Sequence, residues 1–471
     1  MKKILFAISA GLLLGILLYS CNKKMDTKEL YQAVVPVAAP ISDTGCLGSN
    51  TPSGNTTAIK GTMLAGKTYN VCGNLVVNRG DTLTIQEGVT INFTGNFGLG
   101  VKGSLLCLGT QAHPNWITMK GVVKTDQLGA DPSKDPAYAG KWTGIMGDTS
   151  CYLMIIKWTH IEFGGGAPSG TIASISKSPY PLFFQNPYGV FVLEDSWVYG
   201  SVDDPFRILG GKIAVFRNTF EKSGYTGGEA MNAKAGTIGD FAYNLCIGMA
   251  TNGPKLSNSG AITGVPGSNV RIYNNTIVNC GYRRAAAGRG GSINFEQDAG
   301  GMAYNNIIVN CKFGLRVVQN PIADTAHTRY GYNFYYGDST SVCSQFIPSL
   351  SVSTAISQPQ ETDWPKPSTY LPAGWKTGDT YTAPASLNGA NNPMFINAPV
   401  PLPAGYNLRD VVIAGSYNFG LKPGSPCIGV GYTGFSPRGD VPVDPRYGIT
   451  ELTPPGKDLG AFQTNGKGLQ H

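Results

Sequence analysis

Tyr273-Asn274-Asn275-Thr276-Ile277-Val278-Asn279-Cys280 is followed, 31 residues on, by Tyr304-Asn305-Asn306-Ile307-Ile308-Val309-Asn310-Cys311. Upstream the phrase shortens to Ala242-Tyr243-Asn244-Leu245-Cys246-Ile247, with Asn244 again 31 residues before Asn275. Phe216-Arg217-Asn218-Thr219-Phe220 repeats it 26 residues earlier, and Glu194-Asp195-Ser196-Trp197-Val198 stands before that. A phrase recurring at a drifting period marks a solenoid whose loops vary while its strands stay in register. One coil cannot bury its apolar face alone, so coils stack at the strand spacing of about 4.8 Å and share a core. Asn at a turn tolerates the left-handed conformation and can bond its counterpart one coil away. These Asn, Tyr and Cys positions therefore read as structural ladders in an all-β parallel β-helix.

The rest of the chain agrees. Leu83-Thr84-Ile85, Val89-Thr90-Ile91-Asn92-Phe93, Leu99-Gly100-Val101 and Ile117-Thr118-Met119 are short period-two runs punctuated by glycine, the pattern of strands joined by tight turns. Of 471 residues 63 are Gly and only 14% are charged, which disfavours helix. With 42% hydrophobic residues the chain can build a core, which excludes disorder.

Met1-Lys2-Lys3 precedes an apolar run from Ile4 to Leu18. At about 15 residues it is short for a membrane span and suits a signal peptide. Leu18-Tyr19-Ser20-Cys21 resembles the lipobox of bacterial lipoproteins, which implies acylation at Cys21 and a place at the outer membrane or cell surface. Without Lys2 and Lys3 the net charge falls from +7 to +5, too mild a balance to predict a nucleic-acid partner. The expected division is a signal peptide at 1–20, a Pro/Ser/Thr-rich tether at 21–55, the solenoid at 56–340, a Pro-rich insertion at 341–392 and a closing segment at 393–471. The exported compartment permits disulfides, and Cys46 with Cys72 is the expected clasp of the N-terminal end. Cys280 and Cys311 are expected to stack as small buried residues.

Asn78-Arg79-Gly80-Asp81-Thr82-Leu83-Thr84-Ile85-Gln86-Glu87-Gly88 resembles the first coils of right-handed parallel β-helix proteins of the pectin-lyase-like superfamily. Trp142-Thr143-Gly144-Ile145, Trp158-Thr159-His160-Ile161-Glu162-Phe163-Gly164-Gly165 and the close Asp458-Leu459-Gly460-Ala461-Phe462-Gln463 are similar to phrases of Bacteroidetes-type surface lipoproteins. The resemblance covers residues 60–465. It implies the right-handed form of the fold, and it implies little about activity, because the superfamily spans lyases, hydrolases and adhesins.

For a site, a lyase on uronic-acid polymers needs cations to neutralise a carboxylate and a base at the adjacent carbon. Arg284 and Arg289, in an insertion lengthening one coil, with Lys312 and Arg316 in the next, are the candidate group. Asp203 and Asp204, near Arg207 and Glu229, form the second. Paired carboxylates suit an inverting glycosidase, but the histidine motif of the β-helix polygalacturonases is missing. No cofactor or metal is expected; Ca2+ is the one ion that Asp203 and Asp204 would suit. Tyr335 and Tyr336, with Trp364 and Trp375, are candidate sugar-stacking rings, Tyr335 being the one that alternation exposes while Tyr330, Tyr332 and Phe334 face the core. The leading expectation is a lipid-anchored protein binding extracellular polysaccharide without catalysis. The alternatives are a polysaccharide lyase and a structural surface protein or adhesin.

Overall fold

The computed structural model describes residues 39–49, 54–125, 132–168, 170–172, 180–260, 263–284, 289–317, 323–324, 326–339, 342, 380–381, 392–398, 417–443 and 452–471. The signal run, Cys21, Trp364 and Trp375 lie outside them.

The chain is a parallel β-helix. Each coil contributes one strand to each of three all-parallel sheets, and every strand pairs with its counterpart in the next coil. The first sheet runs from Thr57–Ala58 to Arg316–Val317, the second from Gly61–Met63 to Thr328–Gly331, and the third from Cys46–Leu47 to Phe334–Tyr336. Thr380–Tyr381, within the Pro-rich stretch, adds one more strand to the third sheet. The first coil starts ahead of residue 56: Cys46–Leu47 already pairs with Thr68–Val71, and the Cys46–Cys72 disulfide closes it with 5.7 Å between Cα atoms. Cys280 and Cys311 are free and buried, as the repeat predicts.

The turn between second and third sheets carries the repeated phrase. Its first residue is left-handed: Arg217, Tyr243, Asn274, Asn305 and Tyr332 have φ of 55°, 58°, 50°, 60° and 54°. Such a conformation costs a bulky residue about 1–2 kcal/mol. The next residue offsets it. Asn218, Asn244, Asn275, Asn306 and Asn333 form one ladder, each side-chain amide donating to the next Oδ1 at 2.9, 3.1, 2.9 and 2.9 Å. The second N–H of Asn275 reaches the Phe241 carbonyl at 3.2 Å, and its Oδ1 also takes the Asn244 backbone N–H at 2.9 Å. All four bonding positions of that amide are filled inside the protein, which is what burial demands.

Inward residues of all three sheets form the main core, from Leu83 and Leu105 through Phe191 and Phe241 to Ile308 and Tyr335. A second apolar cluster lies outside the third sheet. Its outward residues Leu245, Ile247, Val278, Ile307, Val309, Phe334 and Tyr336 pack against Phe395, Phe419, Leu421, Leu459, Ala461 and Leu469. The C-terminal segment thus contributes an antiparallel pair, Phe395–Asn397 with Asn418–Leu421, and coats a side of the solenoid.

This arrangement corrects the reading of Tyr335 and Tyr336 as exposed sugar-stacking residues. Tyr335 is fully buried inside the coil, and Tyr336 lies under the C-terminal coat. Alternation cannot be carried from Tyr330 to Tyr335, because the left-handed turn at Tyr332 resets the phase before strand Phe334–Tyr336 begins.

Candidate functional site

The outward row of the first sheet changes character along the solenoid. Met146 and Phe183 are neighbours in register and sit under an apolar patch with Ile172 and Tyr180. From the next coil the same row reads Arg207, Asn232, Lys255, Asn294, Arg316, each in register with the one before. Arg207 marks the border, its guanidinium 5.0 Å over the Tyr180 ring. Beyond it opens a cleft of about 350 Å³ lined by residues including Asp203, Asp204, Glu229, Lys255, Arg284 and Arg289. The two groups of charge singled out in the sequence therefore meet at one concavity.

On the acid side, side-chain oxygens of Asp203, Asp204 and Glu229 come within 4.8 Å of one another. Asp204 is buried. Its Oδ1 takes the Glu229 backbone N–H at 2.9 Å, and its Oδ2 takes the Asn232 amide at 2.8 Å and Arg207 at 3.3 Å. Glu229 pairs with Lys255 at 3.1 Å and accepts from Asn232 and Asn252 at 3.3 and 3.4 Å. Burial, then the charge of Glu229, push the Asp204 carboxyl well above its ordinary value. Burial also pushes on Glu229, but Lys255 and the hydrogen bond from Asp204 outweigh it and hold Glu229 below the usual range. Within the pair, then, protonation is favoured on Asp204 and disfavoured on Glu229. Asp203, half-buried, is raised by burial and by Glu229.

On the cationic side only half of the expected group faces the cleft. Arg284 donates to the Thr226 carbonyl at 3.2 Å, and Arg289 lies 3.7 Å from Glu296 with its side chain 41% exposed. Lys312 and Arg316 are corrected to supports. Lys312 donates to the Arg284 carbonyl at 3.2 Å and the buried Arg316 to the Gly290 carbonyl at 3.1 Å, so both pin the ends of the insertion. Arg283 is likewise internal, donating to the carbonyls of Ser223, Gly224 and Gly248.

Sequence reasoning missed Asn232, Asn252 and Lys255. Asn232 and Lys255 lie within strands, and only register shows that they share a face with Arg207, while Asn252 opens its strand in register with Glu229. The amide oxygens of Asn232 and Asn252 are buried without a hydrogen-bond partner among the described residues. Gly227 stands between the two sides: a Cβ there would lie 3.5 Å from both Arg284 Nη1 and Asp203 Oδ1, with nothing closer.

Among the described residues no helix is long and apolar enough to cross a membrane. Comparison with protein-family models, with curated proteins and with solved structures returned no match.

Proposed function

We propose that this is an exported, lipid-anchored β-helix protein that binds extracellular polysaccharide in the first-sheet cleft without catalysis. The observation that carries the reading is the buried Asn232 amide oxygen on the cleft wall, an acceptor with no partner among the described residues. A buried polar atom is costly until something hydrogen-bonds it, and a sugar hydroxyl does so. Around it Asp204, Glu229 and Lys255 are tied to one another or to Arg207, which makes a rigid, mutually bonded surface rather than a set of free catalytic groups. Anchoring follows from the resemblance at Cys21: acyl chains, at about 0.8 kcal/mol per buried CH2, hold a protein at a bilayer without a spanning helix.

Gly227→Leu tests the cleft. Its φ is not left-handed and the added carbon meets only ordinary contacts, so the fold should persist while the cleft fills. On a glycan array the wild type should retain a polysaccharide that Gly227→Leu loses by tenfold or more, about 1.4 kcal/mol. Retention of no glycan by the wild type sinks the proposal. Cys21→Ser should move the protein from the membrane to the soluble fraction; an unchanged distribution removes the anchor.

Arg284 and Arg289 on the rim favour a second reading, a lyase on uronic-acid polymers, since a guanidinium fork matches a carboxylate. Incubation with pectate or alginate would then raise the ultraviolet absorbance of unsaturated uronate, and Arg284→Ala would abolish the rise. Absence of any rise returns the cleft to binding alone.

A further inference from the structure

A row of rings crosses the outside of the third sheet, away from the cleft. Thr68, Thr90, Trp116, His160, Trp197 and Thr219 are successive partners in register. The Trp116 ring stacks on His160 at 3.7 Å and 3°, and His160 stacks on Trp197 at 4.0 Å and 3°. The ring planes lie across the row, so each end of the stack presents a face. At one end the row steps down from Trp197 to Thr219, and the chain supplies a further ring: His471 lies 3.9 Å from Trp197, tilted by 44°, and is held by the Arg217 carbonyl at 3.1 Å from its Nε2.

At the other end the step is repeated, and among the described residues no further ring stacks on Trp116. Trp116 drops to Thr90 and then Thr68, and Trp116 is 37% exposed although one face is covered by His160. Beside this step runs a parallel row, Asn70 and Asn92. None of Thr68, Thr90, Asn70 and Asn92 uses its side chain in a hydrogen bond among the described residues. Two coils span about 10 Å, enough for one sugar ring and its hydroxyls.

We propose that this step is a saccharide subsite, in which a pyranose lays its C–H face on the face of Trp116 opposite His160, and its rim hydroxyls reach Asn70, Asn92 and the two threonines. An indole face gives stacking and the short amides give hydrogen bonds; a purely apolar partner would leave those amides unmatched. Burial, then Lys124, push the His160 imidazole down to about 3, so the stack is uncharged at neutral pH and suits a neutral sugar. The subsite stands apart from the cleft and does not depend on it.

The test titrates the whole protein with cellotetraose, xylotetraose and mannotetraose, read by tryptophan fluorescence and calorimetry. At least one should bind, with affinity about tenfold lower in Trp116→Ala and largely kept in Trp116→Phe. Thr90→Trp should also abolish binding, because it builds the missing ring into the chain while leaving Trp116 in place. Gly227→Leu should leave this binding unchanged, which separates it from failure of the cleft. Binding to none of the three, or wild-type affinity retained in Trp116→Ala or in Thr90→Trp, overturns the proposal. Concentration-dependent dimerisation lost in Trp116→Ala would give the step to a second copy and overturn it equally.

Discussion

Asp240 shows how a single residue couples the coat to the coils. It points outward from the second sheet and receives the backbone N–H groups of Arg438 and Gly439 at 2.7 and 3.0 Å. Burial outweighs those bonds and raises its carboxyl from 3.8 to about 6. The folded state therefore holds this proton more tightly than the unfolded chain. The associated stability is fully present below pH 3.8 and is lost as the pH rises through about 6. Its size is on the order of 2 kcal/mol after allowance for residual hydration. Thermal melts of the wild type and Asp240→Asn at pH 4 and pH 7 should show that Asn removes that part of the decline. Parallel pH profiles would refute the assignment.

At the scale of elements, what the sequence announced and what it hid divide by position. The Asn turns were legible because a buried amide ladder requires the same residue in coil after coil. The cleft was half legible: Asp203, Asp204 and Arg284 lie in loops, where charge stands out, whereas Lys255 and Asn232 lie within strands that read as ordinary alternation. The Trp116–His160–Trp197 stack was invisible because loop excursions place its members 44 and 37 residues apart. The fate of Tyr336 depended on a segment about a hundred residues later, which no local pattern encodes. That C-terminal coat supports the third sheet through residues such as Leu459, buried in the outer cluster. Leu459→Ala should cost about 3 kcal/mol, lowering the urea midpoint and the hydrogen-exchange protection of Leu245 and Val278. Loss of less than about 1 kcal/mol would show that the coat is dispensable.

For the whole molecule, the segment 452–471 matters most. It runs lengthwise across the coils. Gly460 donates to the Asn305 carbonyl at 2.8 Å and Ala461 to Thr276 Oγ1 at 3.0 Å. Tyr273 donates to the Thr453 carbonyl at 2.7 Å, and Arg217 reaches Thr453 Oγ1 at 2.7 Å. Solenoids ordinarily gain or lose repeats by duplication and deletion, since each coil touches only its neighbours. Here a lengthwise splint is cut to a fixed measure. One coil more or fewer between Arg217 and Asn305 would displace its far attachments by about 4.8 Å, too far for any of these bonds. The copy number of that block is therefore frozen.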